Sequence, residues 1–135
     1  MARRKGWRKA EYPGEFPSLG WGIVEFMESG LKVPGGETTG EPLRLTDEQV
    51  AFIVRAHRID PITGVRRYRR AVLRRPKGWG KSPIVGGIAV AHLCGPVVFD
   101  GWDANGEPVG KPHPSPWVQV AATSEDQTDN TYSQL

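Results

Sequence analysis

The stretch "AVLRRPKGWGKSP", residues 71–83, decides the fold class of this 135-residue chain. It ends in Gly80-Lys81-Ser82, the last three residues of the phosphate-binding loop pattern G-x-x-x-x-G-K-[ST]. Arg75 stands where that pattern has its first glycine. Three interpretations fit these residues: a damaged phosphate loop, a variant of one, or a basic turn that contains Gly-Lys-Ser by chance.

The residue types in this stretch match what a phosphate loop requires. Such a loop needs small residues where its backbone N–H groups form a cradle, a lysine for the β- and γ-phosphates, and a hydroxyl for Mg²⁺. Gly78 and Gly80 meet the first need, Lys81 the second and Ser82 the third. We expect Trp79 to cover the cradle and exclude water. A helix after the loop would direct its positive N-terminus at the phosphates. These features favour a phosphate loop over a chance turn.

Sequence patterns on both sides of the loop predict alternating strands and helices. We expect helices over residues 21–31, 45–60 and 82–94 and from residue 124, and strands over residues 71–73, 97–99 and 117–122. Thr46 and Gln49 form a T-x-x-Q capping box, Ser124 and Gln127 form a second one, and Asn105-Gly106 predicts a hairpin. Gly86 and Gly87 predict that the third helix packs closely on a sheet. This order predicts an α/β fold with a largely parallel sheet, about half built where the chain stops.

Charge is unevenly distributed along the chain, whose net charge is +3. Residues 66–81 hold eight Lys or Arg and no acid, whereas residues 100–135 hold six acids and one lysine. This asymmetry predicts a phosphate-handling face in the middle of the chain. The single cysteine, Cys94, excludes an internal disulfide and a cysteine-based zinc site. No apolar run approaches the ~18 residues of a membrane span, so no membrane role is expected.

The three histidines do not predict a metal site. His57, His92 and His113 lie in different predicted elements and lack the paired spacing of metal ligands. We expect the first two to be partly buried helix residues and the third to lie in a loop.

Three segments, in this order, resemble the large terminase subunits of tailed bacteriophages, the motors that pump DNA into capsids. The first, "YPGEFPSLGWGIVEFMESGLKVPGG", residues 12–36, resembles them more weakly than the other two. The segment "LTDEQVAFIVRAHRIDPITGVRRYRRAVLRRPKGWGKS", residues 45–82, resembles the opening of that family: a helix with a glutamine, a strand, and a Walker A loop without the first glycine. The segment "WVQVAATSEDQTDNTY", residues 117–132, resembles the next strand and helix with their A-A-x-S-x-x-Q signature. On this resemblance, the loop is a variant rather than a damaged one.

The resemblance implies a fold and a division of the chain. The fold would be the N-terminal part of a P-loop NTPase (RecA/ASCE-like) sheet flanked by helices and incomplete at the C-terminus. From their Lys-, Arg-, Gly- and Pro-rich start and the helix predicted over residues 21–31, residues 1–42 would form a basic arm and a short helix. Residues 43–135 would form a partial ATPase domain that lacks the Walker B strand and the nuclease domain.

The resemblance also implies ligands, partners and a location. ATP and Mg²⁺ would be the cofactors, and double-stranded DNA, the small terminase subunit and the portal would be the partners. The full protein would form a homo-oligomer in the host cytoplasm, couple ATP hydrolysis to DNA translocation, and cut the concatemer. We expect the 135-residue chain alone to be inactive.

Specific roles follow for several residues if the resemblance holds. Gln49 matches the family's adenine-reading glutamine, although the capping box alone also explains it; both explanations stay open. Lys77 stands where many members carry an arginine that senses the γ-phosphate. Lysine keeps the charge but loses the planar guanidinium, so this role would pass to Arg74 or Arg75. For each of these cations, a solvated surface charge is the alternative.

Two other functions are compatible with the sequence. One is a different DNA-dependent P-loop motor, such as a helicase. The other is a small basic DNA-binding module without nucleotide chemistry, which explains the arginine-rich run but not Gly-Lys-Ser between a predicted strand and a predicted helix.

Overall fold

The computed structural model describes residues 17–32, 40–76, 78–104 and 107–121. Within these ranges the chain forms three α-helices and one two-stranded sheet. In chain order the elements are α1 (Gly20–Gly30), α2 (Asp47–Ala56), α3 (Lys81–Cys94), β1 (Val98–Trp102) and β2 (Pro108–Lys111). The two helices predicted before the loop and the one predicted directly after it are therefore confirmed.

Helix α2 begins where the capping box places it. The Thr46 hydroxyl accepts a hydrogen bond from the backbone N–H of Gln49 at 3.2 Å. In return, Oε1 of Gln49 accepts one from the backbone N–H of Thr46 at 2.9 Å. The two bonds satisfy donors that a helix start otherwise leaves unpaired, and they confirm the predicted capping box.

The turn after α2 packs against the hairpin strand β1. Oδ1 of Asp60 accepts hydrogen bonds from the backbone N–H groups of Ile62 and Thr63, both at 2.8 Å. Gly64 ends the turn with a φ of 72° and lies against the ring of Phe99 in β1. A β-carbon at position 64 would overlap that ring, so glycine is required there by both the backbone angle and the contact.

The hydrophobic core lies where the three helices meet, with α1 packed against both α2 and α3. Its buried members are Ile23, Val24, Met27, Leu43, Leu45, Val50, Ile53, Ile84, Ala91 and Val97. Helix α1 thus shares a core with the helices on either side of the loop. The division of the chain between residues 42 and 43 stays a prediction.

The close packing predicted at Gly86 and Gly87 involves a helix rather than a sheet. A β-carbon on Gly87 would overlap the terminal methyl of Met27, a side chain of α1. Both glycines are buried. The predicted close approach is confirmed, but the predicted partner, a sheet, was wrong, since the contact is with helix α1. Glycines on one helix show that something packs closely there without specifying which element it is.

The predicted hairpin is confirmed by the antiparallel pairing of β1 with β2. The pairs are Val98 with Lys111, Phe99 with Gly110 and Trp102 with Pro108, and the register is irregular between Phe99 and Trp102. The Asn105-Gly106 turn itself lies outside the described residues.

Two predicted strands are absent from the part of the chain that the structure describes. Residues 71–73 and 117–121 belong to neither a helix nor a strand, and Val72 and Trp117 are 86% and 87% exposed. A strand is stable only when a hydrogen-bonded neighbour and a packed face support it. Neither segment pairs with another described segment, so the predicted buried strand at 71–73 and the strand at 117–122 were wrong for these residues.

The fold class is therefore confirmed at the coarse level of a small α/β protein. A largely parallel sheet is not formed within the described ranges, where the sheet is antiparallel. The second capping box and the final predicted helix lie outside those ranges. None of the described helices is long and apolar enough to cross a membrane.

Candidate functional site

The predicted phosphate loop lies between the N-terminal ends of α2 and α3. Gly78 and Gly80 have φ angles of 87° and 96°, in the left-handed region that side chains with a β-carbon avoid. Gly80 is the N-cap residue of α3, so the loop leads directly into this helix. The two glycines predicted from the sequence thus occupy positions that require glycine. Lys77, between them and Arg75 in sequence, lies outside the described residues.

Gln49 joins helix α2 to the loop. Its Nε2 donates a hydrogen bond to the backbone carbonyl of Trp79 at 3.0 Å, while its Oε1 completes the capping box. A β-carbon on Gly80 would lie 3.0 Å from the same Nε2. The capping-box explanation of Gln49 is confirmed, and its adenine-reading role stays a prediction. The contact with the loop, 30 residues away, was not predicted from sequence.

Lys81 points back across the loop. Its Nζ donates a hydrogen bond to the backbone carbonyl of Arg75 at 2.5 Å. Ser82, the next residue, lies exposed in the first turn of α3. The ammonium and the hydroxyl therefore lie on consecutive residues at the point where the loop enters the helix.

Arg75, Trp79 and Glu48 form a three-residue cluster, here called the Glu48 cluster. Oε1 of Glu48 lies 2.5 Å from Nε of Arg75, and Oε2 accepts a hydrogen bond from the Trp79 indole N–H at 3.4 Å. The Arg75 guanidinium also lies over the Trp79 ring, 5.8 Å from its centroid, within cation–π range. Trp79 is half-buried by these contacts.

The two arginines predicted to sense the γ-phosphate in place of Lys77 lie in different surroundings. Arg75 belongs to the Glu48 cluster, whereas Arg74 is exposed and its backbone carbonyl accepts a hydrogen bond from Nη1 of Arg75 at 3.2 Å. Sequence reasoning missed Glu48, because an acid in the first turn of a helix is already explained by the helix dipole. Its position directly before Gln49 was the available signal.

A cavity of about 520 Å³ opens beside the loop, between α2 and residues 68–75. Four arginines line it: Arg55, Arg58, Arg70 and Arg75. Phe52 and Val72 add apolar surface to its wall. A concave surface with several guanidinium groups attracts phosphate-bearing ligands.

The donors at the loop fit a magnesium nucleotide. Lysine is a common binder of phosphate, and a serine hydroxyl after it is the usual protein ligand of the metal in such loops. Mg²⁺ takes most of its remaining ligands from phosphate and water. A magnesium ion held in this way needs no cluster of protein ligands. The described residues include no group of three His, Cys, Asp or Glu that could hold an ion.

Two mycobacteriophage proteins are similar to this chain. The "Gene 13 protein" of Mycobacterium phage L5 is 40% identical over 136 residues, and that of Mycobacterium phage D29 is 37% identical over 134 residues. Each match covers 86% of this chain but 22% of the relative, so the chain spans less than a quarter of the length of either protein. The sequence matches no protein-family model.

Among solved structures, the crystal structure of the HK97 bacteriophage large terminase is similar in part. The match covers 63% of this chain and 16% of that chain, with 29% sequence identity and a TM-score of 0.48.

Proposed function

We propose that this chain is the ATP-binding portion of a bacteriophage DNA-packaging terminase large subunit. The observation that carries the proposal is the loop itself: left-handed Gly78 and Gly80 lead into α3, and Lys81 and Ser82 follow at once. The resemblance of residues 45–82 and 117–132 to large terminases supports it. The similarity of the chain to two phage proteins supports a phage origin.

Each residue of the loop has a role in this proposal. Lys81 would exchange its bond with the Arg75 carbonyl for the β- and γ-phosphates, and Ser82 would hold Mg²⁺ through its hydroxyl. Gln49 would read the adenine edge with its amide, which can both donate and accept hydrogen bonds. Bound Mg²⁺ would neutralise the developing charge on the phosphate oxygens.

The wider activity belongs to the longer protein that the relatives indicate. In that protein ATP hydrolysis would drive double-stranded DNA into the capsid, and a nuclease domain would cut the concatemer. The small terminase subunit, the portal and further copies of the protein would be its partners, in the cytoplasm of the infected host. The helicase-like motor and the small DNA-binding module remain the alternatives, and the second of these requires no nucleotide binding.

Calorimetric titration with Mg²⁺ and a non-hydrolysable ATP analogue tests the proposal. We expect Lys81→Ala to weaken binding by about 10- to 100-fold, the effect of losing a hydrogen bond to a charged group. Lys111→Ala, which removes an exposed lysine of β2, should leave the affinity unchanged. Lys77→Ala should have a much smaller effect than Lys81→Ala. Equal losses in the two loop variants, or no loss in Lys81→Ala, would show that the loop is not a phosphate site.

A further inference from the structure

We propose that Glu48 is a positioning residue. In the nucleotide-free loop it holds Arg75 on the side of α2, and it competes with the γ-phosphate for the Arg75 guanidinium. This inference rests on the proposed function and adds a regulatory contact to the same site. It assigns a role to an acid on α2 that neither the loop pattern nor the capping box requires.

The first observation is that both oxygens of one carboxylate contact the loop. One oxygen pairs with Arg75 and the other accepts the Trp79 indole N–H, while the guanidinium lies over the indole ring. These contacts orient the two largest side chains of the loop toward α2. They therefore fix Arg75 on the α2 side of the loop, against a carboxylate.

The second observation is that Arg75 is held at its backbone as well as its side chain. Its carbonyl accepts the hydrogen bond from Lys81, the residue that a nucleotide would recruit. When Lys81 turns to phosphate, Arg75 loses this bond. The same ligand then offers Arg75 a group with more negative charge than a carboxylate and with a geometry suited to bidentate pairing.

The exchange is energetically feasible because the ion pair is exposed to solvent. The side chains of Arg75 and Glu48 are 45% and 54% exposed, so water and salt weaken their attraction. A fully buried pair would resist exchange, since separating it would leave an unpaired buried charge. The pair between Glu48 and Arg75 is therefore weak enough to yield to a γ-phosphate.

The test compares binding of a non-hydrolysable ATP analogue with binding of ADP, both with Mg²⁺. Glu48→Gln keeps the shape of the side chain and removes its charge, so it should raise the preference for the triphosphate by about two- to fivefold, the range of an exposed ion pair. Glu25→Gln removes an exposed charge on α1 and should leave the preference unchanged. Glu48→Gln should have no effect when Arg75→Gln is already present, because the competing partner is gone.

Each other outcome overturns the inference. An unchanged preference in Glu48→Gln shows that Glu48 does not compete with the γ-phosphate. A change that persists in the Arg75→Gln background shows that it acts through another group. If the parent chain binds neither nucleotide, the proposed function fails, and the inference fails with it. If Glu48→Gln weakens the binding of ADP and of the ATP analogue to the same extent, Glu48 has a purely structural role, and this result also contradicts the inference.

Discussion

His57 and His92 form a direct imidazole–imidazole hydrogen bond, with their Nε2 atoms 3.0 Å apart. The Nδ1 atom of His57 lies 2.7 Å from the backbone carbonyl of Ile53, which can only accept, so Nδ1 carries the proton and Nε2 is left as an acceptor. The N–H of His92 then donates to it. The bond connects the C-cap residue of α2 with α3, although sequence analysis placed the two histidines in separate elements without a common role.

This histidine pair predicts that the protein loses stability in mild acid. Burial, opposed by the hydrogen bond to Ile53, lowers the pKa of His57 to about 4 from 6.5, and burial followed by the charge of Arg66 lowers the pKa of His92. Below pH 6.5 the unfolded chain therefore binds protons that the folded chain excludes. We expect the free energy of unfolding to fall progressively from about pH 6.5 to pH 4, by on the order of 3 kcal/mol for His57.

Urea denaturation across this pH range measures the effect, with two variants for comparison. His57→Asn should flatten the dependence, whereas His113→Asn, which changes an exposed histidine, should preserve it. A parent protein that is equally stable at pH 4.5 and pH 7 would contradict the expected burial of neutral histidine.

Gly80 should not tolerate a side chain. Alanine there must adopt a φ of 96° and place its methyl 3.0 Å from Nε2 of Gln49. We expect Gly80→Ala to cost about 1–2 kcal/mol of unfolding free energy in chemical denaturation. At Gly30 a β-carbon meets nothing within 4 Å, and Gly30→Ala should be neutral or stabilising by up to about 1 kcal/mol. Equal effects of the two substitutions would disprove the left-handed cap.

Gln49→Glu should separate the two functions of this side chain. A carboxylate can still accept the N–H of Thr46, but it cannot donate to the Trp79 carbonyl. We expect helix α2 to persist by circular dichroism while trypsin cuts the basic loop faster, because the loop has lost its tether to α2. Gln119→Glu, the same change at an exposed residue outside the helices and strands, should not alter the cleavage rate. Loss of helix in Gln49→Glu would mean that the capping box depends on the amide.

The arginine-rich run predicts salt-sensitive binding to duplex DNA without base preference. Each phosphate neutralised contributes about 0.9 to the slope of log affinity against log salt. Arg69→Gln combined with Arg70→Gln should therefore reduce the slope by up to about 1.8, measured by anisotropy of a labelled duplex between 50 and 200 mM salt. Arg44→Gln changes an arginine that already pairs with Glu28 at 3.8 Å, and it serves as the control. Affinity that does not depend on salt would rule out binding through these charges.

Local interactions explain what the sequence could predict. The capping box at Thr46 joins residues three positions apart, and the positive φ angles of Gly78 and Gly80 belong to residue types that adopt them readily. Both features are therefore encoded in a few neighbouring residues. The same holds for the hairpin, whose strands flank Asn105-Gly106.

Features that depend on residues distant in sequence were either not predicted from the sequence or predicted wrongly. The hydrogen bond between the two histidines joins residues 35 positions apart, and the one between Trp79 and Glu48 joins residues 31 positions apart. No periodicity in the sequence specifies such contacts. The strand predicted at residues 71–73 failed for a related reason, because β-propensity depends on a neighbouring strand and a packed face that the short segment cannot supply.

The contact between Gly64 and Phe99 has a consequence for the order of folding. The Asp60–Gly64 turn and the β1–β2 hairpin can each form from residues close in sequence, on the microsecond timescale of such elements. Docking the turn on the Phe99 ring closes a much longer loop, whose entropy opposes early formation. We therefore expect this contact to form after the folding barrier, so that it governs how long the native state survives rather than how fast it appears. Phe99→Leu, which leaves the glycine turn intact and trims the ring that it docks on, should accelerate unfolding in stopped-flow experiments and leave the refolding rate nearly unchanged.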